Sequence, residues 1–177
     1  MITHLHDKIF ESFIDEKTIN TAVKNLATQI YNDYHEKEPI FLSILNGSFM
    51  FTSDLLKNYH GLCLISFIKL HSYINDKSTG NVNSLIGLNE NIEGKTVIIL
   101  EDIIDTGNTL AKIIAQLKNK KTNEIKVCSL FFKPDAYKKS IPIDYIGIKI
   151  PNKFIVGYGL DYNGLGRNLS HVYKLKT

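Results

Sequence analysis

The chain has 177 residues, 44% apolar and 22% charged, which fits a single domain over residues 1–177 with a sizeable core and excludes a disordered or fibrous chain. Its formal charge of +3 comes from lysines scattered as at Lys118, Lys120, Lys121, Lys138 and Lys139, with no long basic run. Such a balance does not point to nucleic acid and is compatible with an anionic substrate.

The first segment, MITHLHDKIF, carries an acid and histidines where a secretory signal would carry a basic stretch and an apolar core, and no stretch approaches membrane-spanning length. Ile19, Ala22, Val23, Leu26, Ala27 and Ile30 follow helical spacing after Asp15 and Thr18, either of which can cap the start. They predict an amphipathic helix of about five turns. Ile40 to Leu45 predicts a short strand, Asn46-Gly47-Ser48 a turn, Phe49 to Asn58 a helix and Leu62 to Leu70 a strand. From Ser72 to Glu93 the sequence turns polar and rich in Gly and Asn, which predicts a long mobile excursion, and such loops in compact domains usually serve function.

Val97, Ile98, Ile99 and Leu100 are apolar without alternation, as in a central strand covered on both faces. Leu110, Ile113, Ile114 and Leu117 repeat at helical spacing. Two further strands are expected at Ile125 to Phe132 and Ile143 to Ile150, with Phe154 to Tyr158 short and extended. Cys63 and Cys128 lie in apolar runs without CxxC spacing and read as buried free thiols, so the expected setting is a soluble protein of a reducing cytoplasm. Strands alternating with helices imply an α/β fold, an open and mainly parallel sheet flanked by helices, with a ligand at its carboxyl edge.

The chemistry concentrates in TVIILEDIIDTGNTL, residues 96–110. Glu101, Asp102 and Asp105 stand at the carboxyl end of the central strand, and Asp105-Thr106-Gly107-Asn108-Thr109 opens the following helix, whose free N–H groups form an anion site. Any one of these acids could be an ordinary helix cap. Three acids around a Thr-Gly-x-Thr turn exceed what capping needs. The physical reading is a phosphorylated, hydroxyl-rich ligand. Residues 105–109 would wrap its phosphate, while Glu101 and Asp102 would accept from ribose hydroxyls or hold Mg²⁺ through water.

EDIIDTGNTL resembles the phosphoribosyl-pyrophosphate (PRPP) signature of the type I phosphoribosyltransferases, in the form of their hypoxanthine-guanine branch. The resemblance extends through LNGSFMFTSDL, HSYINDKSTG, FKPDAY and PNKFIVGYGLDYNGLGR, in the family's order and over nearly all of the chain after residue 40. It implies the type I phosphoribosyltransferase fold with a small hood from the terminal segments. The implied reaction is purine salvage, in which hypoxanthine or guanine and PRPP give IMP or GMP and pyrophosphate, with Mg²⁺ and no organic cofactor.

The resemblance also distributes roles. Asp105 is implied as the general base at purine N7, with Glu101, Asp102, Thr106, Gly107, Asn108 and Thr109 around the ribose and 5′-phosphate. Leu45, Asn46 and Gly47 resemble the pyrophosphate loop, a tight, often cis-peptide turn. Many relatives carry Lys or Arg where this chain has Asn46, so the loop must rely on backbone donors or on a cation from elsewhere, for which Lys69, Arg167 and Mg²⁺ are candidates. Ser72 and Tyr73 resemble the start of a mobile catalytic loop. Lys133 would donate to O6 of a 6-oxopurine, Phe154 would stack on the ring and the Ile155 backbone would meet its N1/N2 edge. Lys153 would orient this purine segment. Asp161 closes it and resembles a direct ligand of a second Mg²⁺ on the pyrophosphate, while Glu101 and Asp102 resemble the family's ribose-hydroxyl and Mg²⁺-water partners. The implied assembly is a homodimer or homotetramer, with neither nucleic-acid nor membrane partners. Alternatives are a xanthine-preferring relative, a PRPP-sensing regulator that binds nucleic acid, and a phosphoacceptor domain.

Overall fold

The computed structural model describes residues 1–70, 84–86 and 91–176. The expected Ser72 and Tyr73 lie outside the described residues.

A six-stranded sheet has the order β5-β4-β3-β6-β7-β8, formed by β3 (Ile40–Ile44), β4 (Leu64–Leu70), β5 (Ser84–Ile86), β6 (Thr96–Ile104), β7 (Glu124–Phe132) and β8 (Tyr145–Lys149). All its pairings are parallel except β4 with β5, which is antiparallel. A second, antiparallel sheet, β1-β2-β10-β9, joins the hairpin β1 (Ile2–Leu5) and β2 (Lys8–Ile14) to β9 (Ile155–Val156) and β10 (Val172–Leu175). This is the hood that the resemblance implies.

The apolar run explains the layering. In β6, Ile98 and Leu100 pack with α1 (Glu16–Tyr34) and α2 (Phe49–Asn58), while Val97 and Ile99 face α3 (Asn108–Lys118) through Leu110, Ile113 and Leu117. Alternation across the pleat therefore fills both cores from one continuous apolar segment. Asp15, of the two possible caps, closes the start of α1 by accepting from Thr18 N–H at 2.7 Å.

Several boundaries differ from the sequence expectation. The central strand runs on to Ile104, so Glu101 and Asp102 sit inside its ladder, and Asp105 is the first residue beyond it. β4 begins at Leu64, β8 spans only Tyr145–Lys149, and the extended segment near Phe154 contributes only Ile155–Val156 to a ladder. The polar excursion is not devoid of structure, because residues 84–86 pair with β4 and Ile92 is buried in the core.

Candidate active site

Three parallel strands deliver their ends to one edge. β3 exits into Leu45-Asn46-Gly47, β6 into the Asp105 turn and β7 into Lys133. The Leu45–Asn46 peptide bond is cis, in keeping with the resemblance. Leu45 N–H donates to Ile68 O at 2.9 Å, which ties the loop to β4. Gly47 lies against a carboxylate, since a Cβ there would stand 1.7 Å from Asp102 Oδ2.

Gly107 is the N-cap of α3 and makes no side-chain cap bond, so the capping explanation for Asp105 fails. Asp105 instead pairs with Lys133, whose Nζ donates to Oδ2 at 2.8 Å. Residues 104–110, with Glu101 and Ile103, surround a cavity of about 90 Å³. A second cavity, of about 260 Å³, adjoins it at Ile103 and Asp105 and is lined also by Gly47, Asp102, Lys133, Phe154, Ile155, Leu160, Asp161 and Arg167. A larger concavity of about 610 Å³ opens elsewhere, between Asp15, Lys24 and His171. Its lining holds no buried residue, so size does not mark the site.

Electrostatically the edge is strained by its acids. Burial raises the Glu101 carboxyl well above the usual range, and its neighbour Asp102 adds to the effect. Burial likewise pushes Asp102 up to about 6, against hydrogen bonds from backbone N–H groups and the attraction of Arg167. Glu101 Oε2 is buried and finds no hydrogen-bond partner among the described residues. Asp161 meets Arg167 Nη2 at 2.5 Å and accepts from Gly164 N–H at 2.7 Å, while Arg167 Nη1 donates to Gly159 O at 2.7 Å.

The partnerless Glu101 oxygen suits a hard cation, whereas Asp161 already has a counter-charge in Arg167. Among the described residues no group of three or more His, Cys, Asp or Glu gathers to hold one alone. Glu101, Asp102 and Asp161 therefore fit a divalent ion only if ligand oxygens or water complete its shell.

Of the residues singled out in the sequence, Asp102, Asp105, Gly47, Lys133, Phe154, Ile155, Asp161 and Arg167 converge on the larger cavity. Glu101 and residues 105–109 surround the smaller one. Leu45, Asn46, Lys69 and Lys153 do not line either, and Lys153 is exposed. Ile103 and Leu160 complete the lining of the larger cavity without a sequence signal, since each is an apolar residue among many.

The phosphoribosyl transferase domain profile matches residues 11–163. The chain belongs to the phosphoribosyltransferase family. Within it, the chain is 40% identical over 173 residues, 97% of each chain, to a hypoxanthine-guanine phosphoribosyltransferase of Staphylococcus aureus, and 38% identical to one of Staphylococcus epidermidis over 98% of this chain and 97% of that one. A crystal structure of a hypoxanthine phosphoribosyltransferase from S. aureus superposes with a TM-score of 0.87 at 41% identity, covering 94% of this chain and 91% of that chain. A hypoxanthine-guanine phosphoribosyltransferase from Bacillus anthracis gives 0.87 at 37% identity over 94% and 98%. The type I phosphoribosyltransferase fold and the resemblance to the hypoxanthine-guanine branch are thus borne out. No helix among the described residues is long and apolar enough to cross a membrane.

Proposed function

We propose that this phosphoribosyltransferase salvages purines by joining hypoxanthine or guanine to PRPP, releasing IMP or GMP and pyrophosphate. The observation that carries this reading is the pair of Lys133 Nζ and Asp105 Oδ2, 2.8 Å apart, beside the phosphate turn. It sets a donor next to an acceptor where a 6-oxopurine protonated at N7 presents its O6 acceptor next to its N7–H donor. The names of the relatives at 38–40% identity support the same substrates.

In this reading the bond from ribose C1′ to pyrophosphate breaks as N9 forms its bond to C1′, and the N7 proton passes to Asp105. Asp105 also stabilises the ribosyl cation by its charge. Residues 105–109 hold the 5′-phosphate through backbone N–H groups at the start of α3. Leu45, Asn46 and Gly47 receive the pyrophosphate, with Arg167, and Lys69 from β4, as the cations that replace the charge Asn46 lacks. Lys133 donates to O6, Phe154 stacks on the base, the Ile155 backbone meets its far edge, and Lys153 orients the segment.

Glu101, Asp102 and Asp161 would hold Mg²⁺, which when bound supplies charge neutralisation for the departing pyrophosphate. The orphaned Glu101 oxygen and the two raised carboxyls support this assignment.

We further propose one domain over residues 1–177, a cytoplasmic setting consistent with the free thiols of Cys63 and Cys128, and a homodimer or homotetramer. The exposed Leu62, Leu64, Ile65, Phe67 and Phe49 support burial against another copy.

The test is release of pyrophosphate from PRPP, with and without hypoxanthine or guanine and with and without Mg²⁺. Release that needs both base and metal supports the reading. Release without base, or none under any condition despite PRPP binding, contradicts it.

A further inference from the structure

The turn between β1 and β2 reaches over to the purine-side segment. Asp7 Oδ1 accepts from Tyr162 Oη at 2.8 Å, and His6 Nε2 lies 3.2 Å from Asn163 O. Lys8 Nζ stands 4.3 Å from the centroid of the Tyr162 ring and 5.6 Å from that of Phe154. The two rings meet edge to face at 5.8 Å and 84°, with the fully buried Phe10 at 6.0 Å from Phe154 and 6.2 Å from Tyr162. Phe154 is 44% exposed and lines the larger cavity, whereas Lys8 does not line it.

A half-exposed phenylalanine that must stack on a base loses rotamer freedom on binding unless it is already fixed. A cation within about 6 Å of the ring centroid contributes such fixing through the ring's negative face. By drawing on that charge it also lowers the repulsion between the ring's π face and that of an incoming base. Tyr162 is itself anchored by Asp7 and Lys8, and Phe154 by Lys8, so the hairpin holds both rings.

We propose that Lys8 is a positioning residue of the purine subsite, acting through the faces of Phe154 and Tyr162, which makes the N-terminal hairpin the subsite's outer wall. This rests on the reading of Phe154 as the ring that stacks on the base.

The test compares wild type, Lys8→Met and Lys8→Arg, each with Phe154 and with Phe154→Leu. The readouts are KM for the base turned over fastest, KM for PRPP, kcat and Tm. Lys8→Met keeps the stem and removes the charge. It is expected to raise the purine KM about 2- to 5-fold, the size of one exposed cation–π contact, while PRPP KM holds, Tm falls by no more than about 4 °C and Lys8→Arg restores the purine KM. In the Phe154→Leu background the same change should add nothing. An unchanged purine KM in Lys8→Met, an equal rise in both KM values, or the same rise with Leu at 154 would overturn the proposal. If Phe154→Leu alone leaves the purine KM at the wild-type value, the stacking reading fails and takes this proposal with it. A clear Phe154→Leu effect beside a silent Lys8→Met overturns the role of Lys8 alone.

Discussion

Lys133 and Asp105 meet across the carboxyl edge of the sheet, Nζ donating to Oδ2 at 2.8 Å, with the lysine side chain 8% exposed and the carboxylate 44%. The lysine is fixed from behind, because its backbone N–H donates to Ile104 O at 3.0 Å and so extends the ladder between β7 and β6. In the proposed function this buried ammonium and accessible carboxylate meet the O6 and N7–H edge of a 6-oxopurine. Adenine would turn its 6-amino donor toward the ammonium instead.

Lys133→Met should therefore lower kcat/KM for hypoxanthine about 10- to 100-fold, the loss expected when a charged hydrogen bond is removed. It should also narrow the preference for hypoxanthine over adenine. Steady-state kinetics with both bases checks this, and an unchanged ratio between them would remove Lys133 from base selection.

Asp105→Asn keeps the size of the side chain and abolishes its basicity. If Asp105 accepts the N7 proton, kcat should fall about 10²- to 10⁴-fold while KM for PRPP moves far less. Turnover close to wild type would show that the proton leaves by another route.

Gly159 has a φ of +97°, and a Cβ there would stand 2.0 Å from Gly47 O. Gly159→Ala should push the Leu45-Asn46-Gly47 loop off the Asp102 carboxylate, lower Tm and raise KM for PRPP at least about 10-fold, as a misplacement near 1 Å can. Gly94→Ala is the control, since Gly94, before the start of β6 and away from the site, also has positive φ, +69°, but nothing lies within 4 Å of its Cβ position. It should cost on the order of 1 kcal/mol of stability and leave KM for PRPP unchanged. Equal effects of the two substitutions on PRPP would mean that the close approach has no role.

Tyr59 Oη is buried without a hydrogen-bond partner among the described residues, while its ring packs edge-on against Phe41 at 5.0 Å and 81°. Tyr59→Phe keeps the ring and removes the orphaned hydroxyl, so unfolding should show a gain of about 1 kcal/mol. Burial holds the phenol up at about 12, with Cys63 and Tyr31 adding to it. An acid raised in the folded state contributes stability that is complete below its ordinary value near 10 and is lost as pH rises through 12. Denaturation measured from pH 9 to 12 should accordingly fall less steeply for Tyr59→Phe than for wild type.

The central strand and the signature turn were legible because an uninterrupted apolar run followed by three acids has few physical explanations. The strand's true end was not, since Glu101 and Asp102 break the apolar pattern and yet remain in the ladder, with Glu101 opposite Ser129. β1, β2 and β10 mix exposed and buried positions without clean alternation, so the hood came from the resemblance and not from periodicity. Residues 84–86 were absorbed into a polar segment because a three-residue edge strand has no pattern of its own. Asp105, Lys133, Asp161 and Arg167 each stood out singly. Their pairings, Lys133 with Asp105 and Arg167 with Asp161, are tertiary facts that depend on how β6, β7 and the loop after β9 meet.

The most direct test of the central claim is one competition reaction, in which hypoxanthine, guanine, xanthine and adenine at equal concentration share limiting PRPP and Mg²⁺ and the nucleotides formed are separated and quantified. The Lys133–Asp105 geometry predicts nucleotides of the 6-oxopurines with AMP near background, and the proposed function predicts IMP and GMP as the main products among them. AMP as the main product, or no nucleotide at all, would contradict the geometry, and XMP as the main product would contradict the proposed choice of hypoxanthine and guanine.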